Sequence, residues 1–337
     1  MTVATYVNGD GQGNDTVKWE IFPLQDDTKS VKIFSFSDPN YPEFRTFEKE
    51  VPVNEEYTII HFTEKRLARR YYYLLFDDSH FEIVSQRFLK MDSVVNFRDL
   101  GGYTTADKKS VRWGKFYRSG RLNLSDKGKE LFNSLRIRTV IDLRSKGEQL
   151  VKSKPVNANM IHIPVNACNI SEVVKLLKNN KFKQEEARQF MEEAYISLAK
   201  DYTKEFSNMF EFLLDSLNYP VLVECNMGSD RCSFASALVL LALGVSYDQI
   251  VEDYLSTNSV LNVRQEGSYA YKLMPEAQEA VTTLLLPNRS LIDLARREII
   301  SSFGSMDNYF TNALNLDSMK RERLKALLLT SKLVIDD

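Results

Sequence analysis

The chain has 337 residues, 43% hydrophobic and 27% charged, the make-up of a globular protein with room for two cores. Its net charge of -2 argues against a general nucleic-acid binder, which needs a basic surface, so any basic site must be local. Three cysteines, Cys168, Cys225 and Cys232, are too few for a disulfide framework, and no His/Cys cluster suggests zinc.

The start, "MTVATYVNGDGQGND", lacks the charged and apolar regions of a signal peptide, and no later run reaches the roughly 18 apolar residues of a membrane span. The expectation is a soluble chain, cytoplasmic by default, with compartment and oligomeric state left open. From "TVKWEIFPL" through "SVKIFSFSDP", "EYTIIHF" and "RRYYYLLFD" to "HFEIVSQRFL", short β-branched and aromatic runs alternate with Asp, Asn, Pro and Lys clusters. That pattern predicts a small all-β sandwich over residues 1–90, with Trp19 and the tyrosine run in its core and the role of a spacer, an interaction module or a carbohydrate binder.

After residue 90 the pattern changes. Long helical periodicities alternate with brief apolar runs such as "IRTVIDLR" and "PVLVEC", which predicts an α/β domain over 91–337 with a mainly parallel sheet flanked by helices. Residues 169–217 read as two or three helices with a solvated lysine-rich face, and the last ninety residues are again helical, broken near Pro287 and Gly304.

One stretch carries chemistry. In "PVLVECNMGSDRCSFASALVLLALGV", an apolar strand runs into a turn holding Gly228, and a helix starts at the far side. Such a turn aims backbone N–H groups into one concavity at the positive end of the helix dipole, a nest for a phosphate dianion. Asn226, Met227, Gly228, Ser229 and Cys232 are the candidate phosphate contacts. Arg231 adds a planar, permanently charged guanidinium. Cys225 lies at the floor, where the field favours thiolate and hence a nucleophile toward phosphorus. Asp230 is the nearest acid in sequence for the leaving oxygen; its plainer role is to cap the helix. C-x5-R alone is a common spacing, and its place between strand and helix gives it meaning. No metal or other cofactor is needed.

The segment resembles the signature loop H-C-x-A-G-K-D-R-T-G of the bacterial tyrosine phosphatase family, among the cysteine-dependent phosphatases. "VVNFRDLGGY" is similar to that family's opening motif, and "VRWGKFYRSGRLNLSDKG", "IRTVIDLRSKGE", "ASALVLLALGVSYDQIVEDYLSTN" and "FGSMDNYF" come after it in the family's order. The resemblance, from about residue 91 onward, implies a tyrosine-phosphatase-like fold, a nucleophile at Cys225, a phosphate-binding Arg231 and an acid at Asp230. It also implies a site-shaping role for Arg98 and Asp99: Arg98 toward substrate phosphate and Asp99 toward Arg231, or the two as an ion pair that fixes the opening turn. Arg118, Asp142 and Arg144 would be structural partners in the same polar network.

Three positions depart from the family. Glu224 stands where the family has His, and a carboxylate pointing inward would oppose thiolate formation. Ser229 replaces Lys, and Cys232 replaces the Thr whose hydroxyl serves the thiolate, with Ser233 as a possible substitute. A second thiol near an activated one also offers a resolving partner for a sulfenic acid, against the plainer role of a small helix residue. Two functions therefore stand open: hydrolysis of a phosphorylated protein or small phosphate ester, or phosphate binding by a module whose chemistry has lapsed.

Overall fold

A computed structural model of the chain describes residues 2–10, 13–22, 27–61, 69–150, 157–167, 182–262, 266, 268, 272 and 274–330. Cys168 and much of the predicted helical stretch after Asn169 lie outside the described residues. Seven strands come first: β1 (Thr2–Gly9), β2 (Asn14–Phe22), β3 (Ser30–Phe36), β4 (Thr46–Pro52), β5 (Tyr57–His61), β6 (Tyr71–Phe76) and β7 (His80–Ser85). They form two antiparallel sheets, ordered β1-β2-β5 and β4-β3-β6-β7. Side chains alternate between faces of a strand, so Val17 and Trp19 of β2 meet Val31, Ile33, Tyr72 and Leu74 of the other sheet in one core. The Trp19 indole donates to the Val53 carbonyl at 2.8 Å, which removes the cost of burying that N–H.

The opposite face of β6 carries Tyr71 and Tyr73, and these pack with Phe36 against Trp113 from beyond residue 90. The Trp113 indole donates to the Ile83 carbonyl at 2.9 Å. Trp113 therefore joins the N-terminal sheets to the α/β part of the chain.

The main elements after them are β8 (Arg98–Asp99), β9 (Ser110–Val111), β10 (Phe116–Ser119), α1 (Asp126–Ser134), β11 (Thr139–Asp142), β12 (Asn159–His162), α2 (Gln184–Lys200), α3 (Thr203–Leu213), β13 (Val221–Glu224), α4 (Asp230–Leu243), α5 (Tyr247–Val260), α6 (Pro275–Leu285), α7 (Arg289–Phe303), α8 (Ser318–Leu328) and β14 (Leu329–Thr330). A five-stranded sheet runs β12-β11-β13-β10-β8. Its β12, β11, β13 and β10 pair in parallel, and β8 pairs antiparallel with β10.

The predicted mainly parallel sheet is thus corrected to a mixed one, in a mixed α/β chain whose other sheets are antiparallel. The reason lies in the connection: the chain from Asp99 to Phe116 contains no helix, and parallel neighbours are usually joined through one.

Helix α4 is buried on nearly every side, as its run "FASALVLLAL" demands. It packs against β10, β13, α5 and α8, and Gly244, at φ +89°, ends it in a left-handed cap. Helix α2 lies across α6 and α7. No helix among the described residues is long and apolar enough to cross a membrane.

Candidate active site

The turn from Cys225 to Ser229 connects the end of β13, a central strand of the mixed sheet, with the start of α4. Gly228 makes it possible. Its φ is +68°, and a Cβ there would lie 2.5 Å from the Gly120 nitrogen and 2.6 Å from the Ser119 carbonyl carbon, so the turn sits directly on the end of β10.

Its carbonyl groups are tied back from outside. The Asn226 carbonyl accepts from the Arg121 N–H at 3.1 Å. The Gly228 carbonyl accepts from Asn96 Nδ2 at 2.7 Å and Arg118 Nη2 at 2.6 Å, and the Ser229 carbonyl from Arg118 Nη2 at 3.2 Å. In a trans peptide the N–H points opposite to the C=O. Fixing these three carbonyls outward therefore turns the N–H groups of Met227, Ser229 and Asp230 to the inner side of the turn, where they can receive an oxyanion.

Cys225 is 2% exposed beside them. Burial pushes its thiol up, but a hydrogen bond from the Cys232 side chain and the nearby Arg231 guanidinium outweigh it, and the thiol comes down to about 7. Burial pushes the Cys232 thiol well up, and its contact with Cys225 adds to the rise. Of the two thiols, Cys225 is therefore the one that gives up its proton more readily. Both are free thiols, and Cys232 Sγ also lies 3.5 Å from the Ser119 and Val223 carbonyls. Ser233 does not take over the missing hydroxyl: its Oγ bonds to Arg118 and to the Ser229 carbonyl, on the outer side.

Glu224 is the last residue of β13, and its carboxylate is engaged by Leu122 and Arg144. It is fully buried, accepts from the Leu122 N–H at 2.8 Å and lies 3.8 Å from Arg144, which pairs with Asp142 at 2.8 Å.

Arg231 is held end-on by Glu148, with Nη1 2.5 Å and Nη2 2.9 Å from its two carboxylate oxygens, and Nη1 also donates to the Val165 carbonyl at 3.2 Å. Burial raises the Glu148 carboxyl, yet Arg231 and the Ser145 N–H bring it below the ordinary value, so the pair is ionic. Asp230, the first residue of α4, is buried, and burial raises its carboxyl above the usual range. Its Oδ2 accepts from Ser229 Oγ at 2.8 Å and its Oδ1 from the Tyr195 hydroxyl at 3.0 Å.

The structure does not bring Arg98 and Asp99 to this inner side, nor to each other. Arg98 is fully buried and bidentate on Asp253, with Nε 2.9 Å and Nη2 3.0 Å from its oxygens; Arg118 shares that carboxylate at 2.9 Å. Two guanidiniums around one buried site need a shared anion, and Asp253 supplies it, its carboxyl held far below the ordinary range. Asp99 accepts from the Gly101 and Gly114 N–H groups, both at 2.7 Å, and from Arg69 of the N-terminal region. The partner expected at Asp99 for Arg231 is instead Glu148.

Sequence reasoning missed Glu148, Asp253, Asn96 and Tyr195. The first three lie inside the stretches that resemble the family, but spacing assigns them no partner; Tyr195 carries no signal beyond helical spacing.

The sequence pattern of the tyrosine phosphatase family matches residues 89–330. The chain belongs to the tyrosine phosphatase family. It is 30% identical over 233 residues to a protein of Cupriavidus necator provisionally named a tyrosine-protein phosphatase, covering 68% of this chain and 85% of the relative. It is 27% identical over 271 residues to the triple specificity protein phosphatase PtpB of Mycobacterium tuberculosis, covering 69% of this chain and 96% of that one. The core catalytic domain of the PP-IP phosphatase Siw14 of Saccharomyces cerevisiae is similar over 54% of this chain and 86% of that chain at 14% identity, with a TM-score of 0.27. Membership in the family indicates phosphatase activity.

Proposed function

We propose that the chain hydrolyses phosphate monoesters through a cysteinyl-phosphate intermediate, in the manner of a protein tyrosine phosphatase. The observation that carries this reading is Cys225: a buried thiol brought down to about 7 beside N–H groups turned inward by their tied-back carbonyls. The Cys225 thiolate attacks phosphorus, and the P–O bond to the leaving group breaks. Asp230, raised by burial so that it keeps its proton into a higher range, gives that proton to the leaving oxygen. Water then attacks the thiophosphate, Asp230 takes a proton back, and phosphate leaves with the thiolate restored. Throughout, the inward N–H groups and Arg231 stabilise charge on the equatorial oxygens. The family membership and the likeness to a triple specificity protein phosphatase support phosphorylated protein, or a small phosphate ester, as substrate.

We further read the chain as two units meeting near residue 90, a β-sandwich before it and the phosphatase unit after it; the family match beginning at residue 89 supports that boundary.

A second reading, oxyanion binding without hydrolysis, draws on Ser233, whose hydroxyl is engaged away from the thiolate and so does not replace the family's Thr. Hydrolysis of para-nitrophenyl phosphate under reductant, with Cys225→Ser alongside, separates the two. We expect Cys225-dependent turnover with an acid limb in kcat/KM near pH 7, because the thiolate is present only above that value. Absence of turnover, with vanadate still stabilising the fold, would favour the second reading.

A further inference from the structure

Tyr195 lies on α2, far from the turn in sequence, and is fully buried. Its hydroxyl is 3.0 Å from Asp230 Oδ1 and 2.9 Å from the hydroxyl of Tyr254 on α5. The Tyr254 oxygen in turn lies 3.3 Å from the backbone nitrogen of Asn288, the cap of α7. A peptide N–H can only donate, so Tyr254 accepts there and directs its own proton to Tyr195, and Tyr195 directs its proton to Asp230. The chain Asn288 to Tyr254 to Tyr195 to Asp230 has one direction when Asp230 is ionised. A proton on Asp230 Oδ2 leaves that order in place: Oδ1 still accepts from Tyr195, and the Oδ2 hydroxyl, which can go on accepting from Ser229, is free to donate to a leaving oxygen. Both states of the carboxyl are therefore satisfied without moving a heavy atom. The edge-on packing of the two rings, 65° apart in plane, holds this arrangement.

We propose that Tyr195, backed by Tyr254, is a positioning residue for Asp230, fixing its carboxyl group for proton transfer to the leaving oxygen. The inference rests on the reading of Asp230 as the acid. Asp230 meets Ser229 from the turn, Arg231 from its own helix, Arg118 from β10 and Tyr195 from α2. Burial raises the carboxyl, and each of these four favours the ionised form and offsets part of that rise. Removing the Tyr195 hydroxyl withdraws one donor from the carboxylate, so Asp230 would hold its proton to higher pH.

The test is Tyr195→Phe, read in two ways. In kinetics, the alkaline limb of kcat should move up by about one pH unit, the worth of a lost hydrogen bond to a charged group. Turnover of an alkyl phosphate, whose leaving group needs the proton more, should fall further than that of para-nitrophenyl phosphate. In 13C NMR of the Asp230 carboxyl, assigned with Asp230→Asn, the titration midpoint should rise by a similar amount, about one unit. Tyr254→Phe should move both in the same direction by less. An unmoved limb and an unmoved midpoint, or a lower Tm with neither shifted, would overturn the proposal and leave the hydrolytic reading standing. If the wild type shows no turnover at all, the hydrolytic reading falls, and the NMR midpoint alone sustains or removes the Tyr195 contact.

Discussion

Glu148 and Arg231 form the tightest ionic contact at the turn, and Glu148 arrives from the segment after β11. A guanidinium gripped through both terminal nitrogens is fixed in plane as well as in place, the orientation that the proposed reaction asks of Arg231. Glu148→Gln should therefore raise KM for para-nitrophenyl phosphate about tenfold, near 1.4 kcal/mol, with a smaller loss in kcat, measured by steady-state kinetics. The pair also links to pH. The Glu148 carboxyl is depressed by its partner, so its stabilisation is present above the ordinary glutamate value and is lost as pH falls through the lowered one.

At the scale of elements, the turn is shaped by what lies behind it. Asn96 and Arg118 pull the Gly228 carbonyl outward, and Asp253 from α5 holds Arg118 and Arg98. Gly228 lets this happen, because an L side chain there would be strained at φ +68° and would strike the backbone of Ser119 and Gly120. Gly228→Ala should cost at least about 1–2 kcal/mol from the left-handed conformation alone. Thermal unfolding would register that loss. Activity should fall by far more than the stability change requires, since the inward N–H groups turn with the carbonyls.

Across the whole molecule, the N-terminal sheets are built into the phosphatase. Arg69 donates to Asp99, Ser85 and the Gln86 carbonyl and stacks on Tyr71 and Trp113, with its guanidinium 4.8 Å and 5.4 Å from the ring centres. Asp99 belongs to the opening motif, so the first ninety residues supply its counter-charge. Arg69→Met would leave that buried carboxylate with its two N–H donors but without its counter-charge, and breaking such a pair costs about 3–5 kcal/mol. Urea unfolding should show the loss as a lower midpoint with an unchanged slope.

Local pattern made much of this legible. The strand-turn-helix around Cys225, the buried Trp19 and tyrosine run, the all-β start and the helical end all come from periodicity and from residue types whose preferences act over a few neighbours. The candidate residues of the turn could be named together from the sequence, because they lie within seven positions of one another. What only the tertiary structure decided is who faces whom. Asp99 meets Arg69, Arg98 meets Asp253, Arg231 meets Glu148, and Tyr195 meets Asp230, across sequence separations of 30, 155, 83 and 35 residues. With 44 basic and 46 acidic side chains, no spacing rule selects one pair among so many. Pairing is selected by burial: once the core closes, a charge taken out of water must find the partner that the packed elements place beside it.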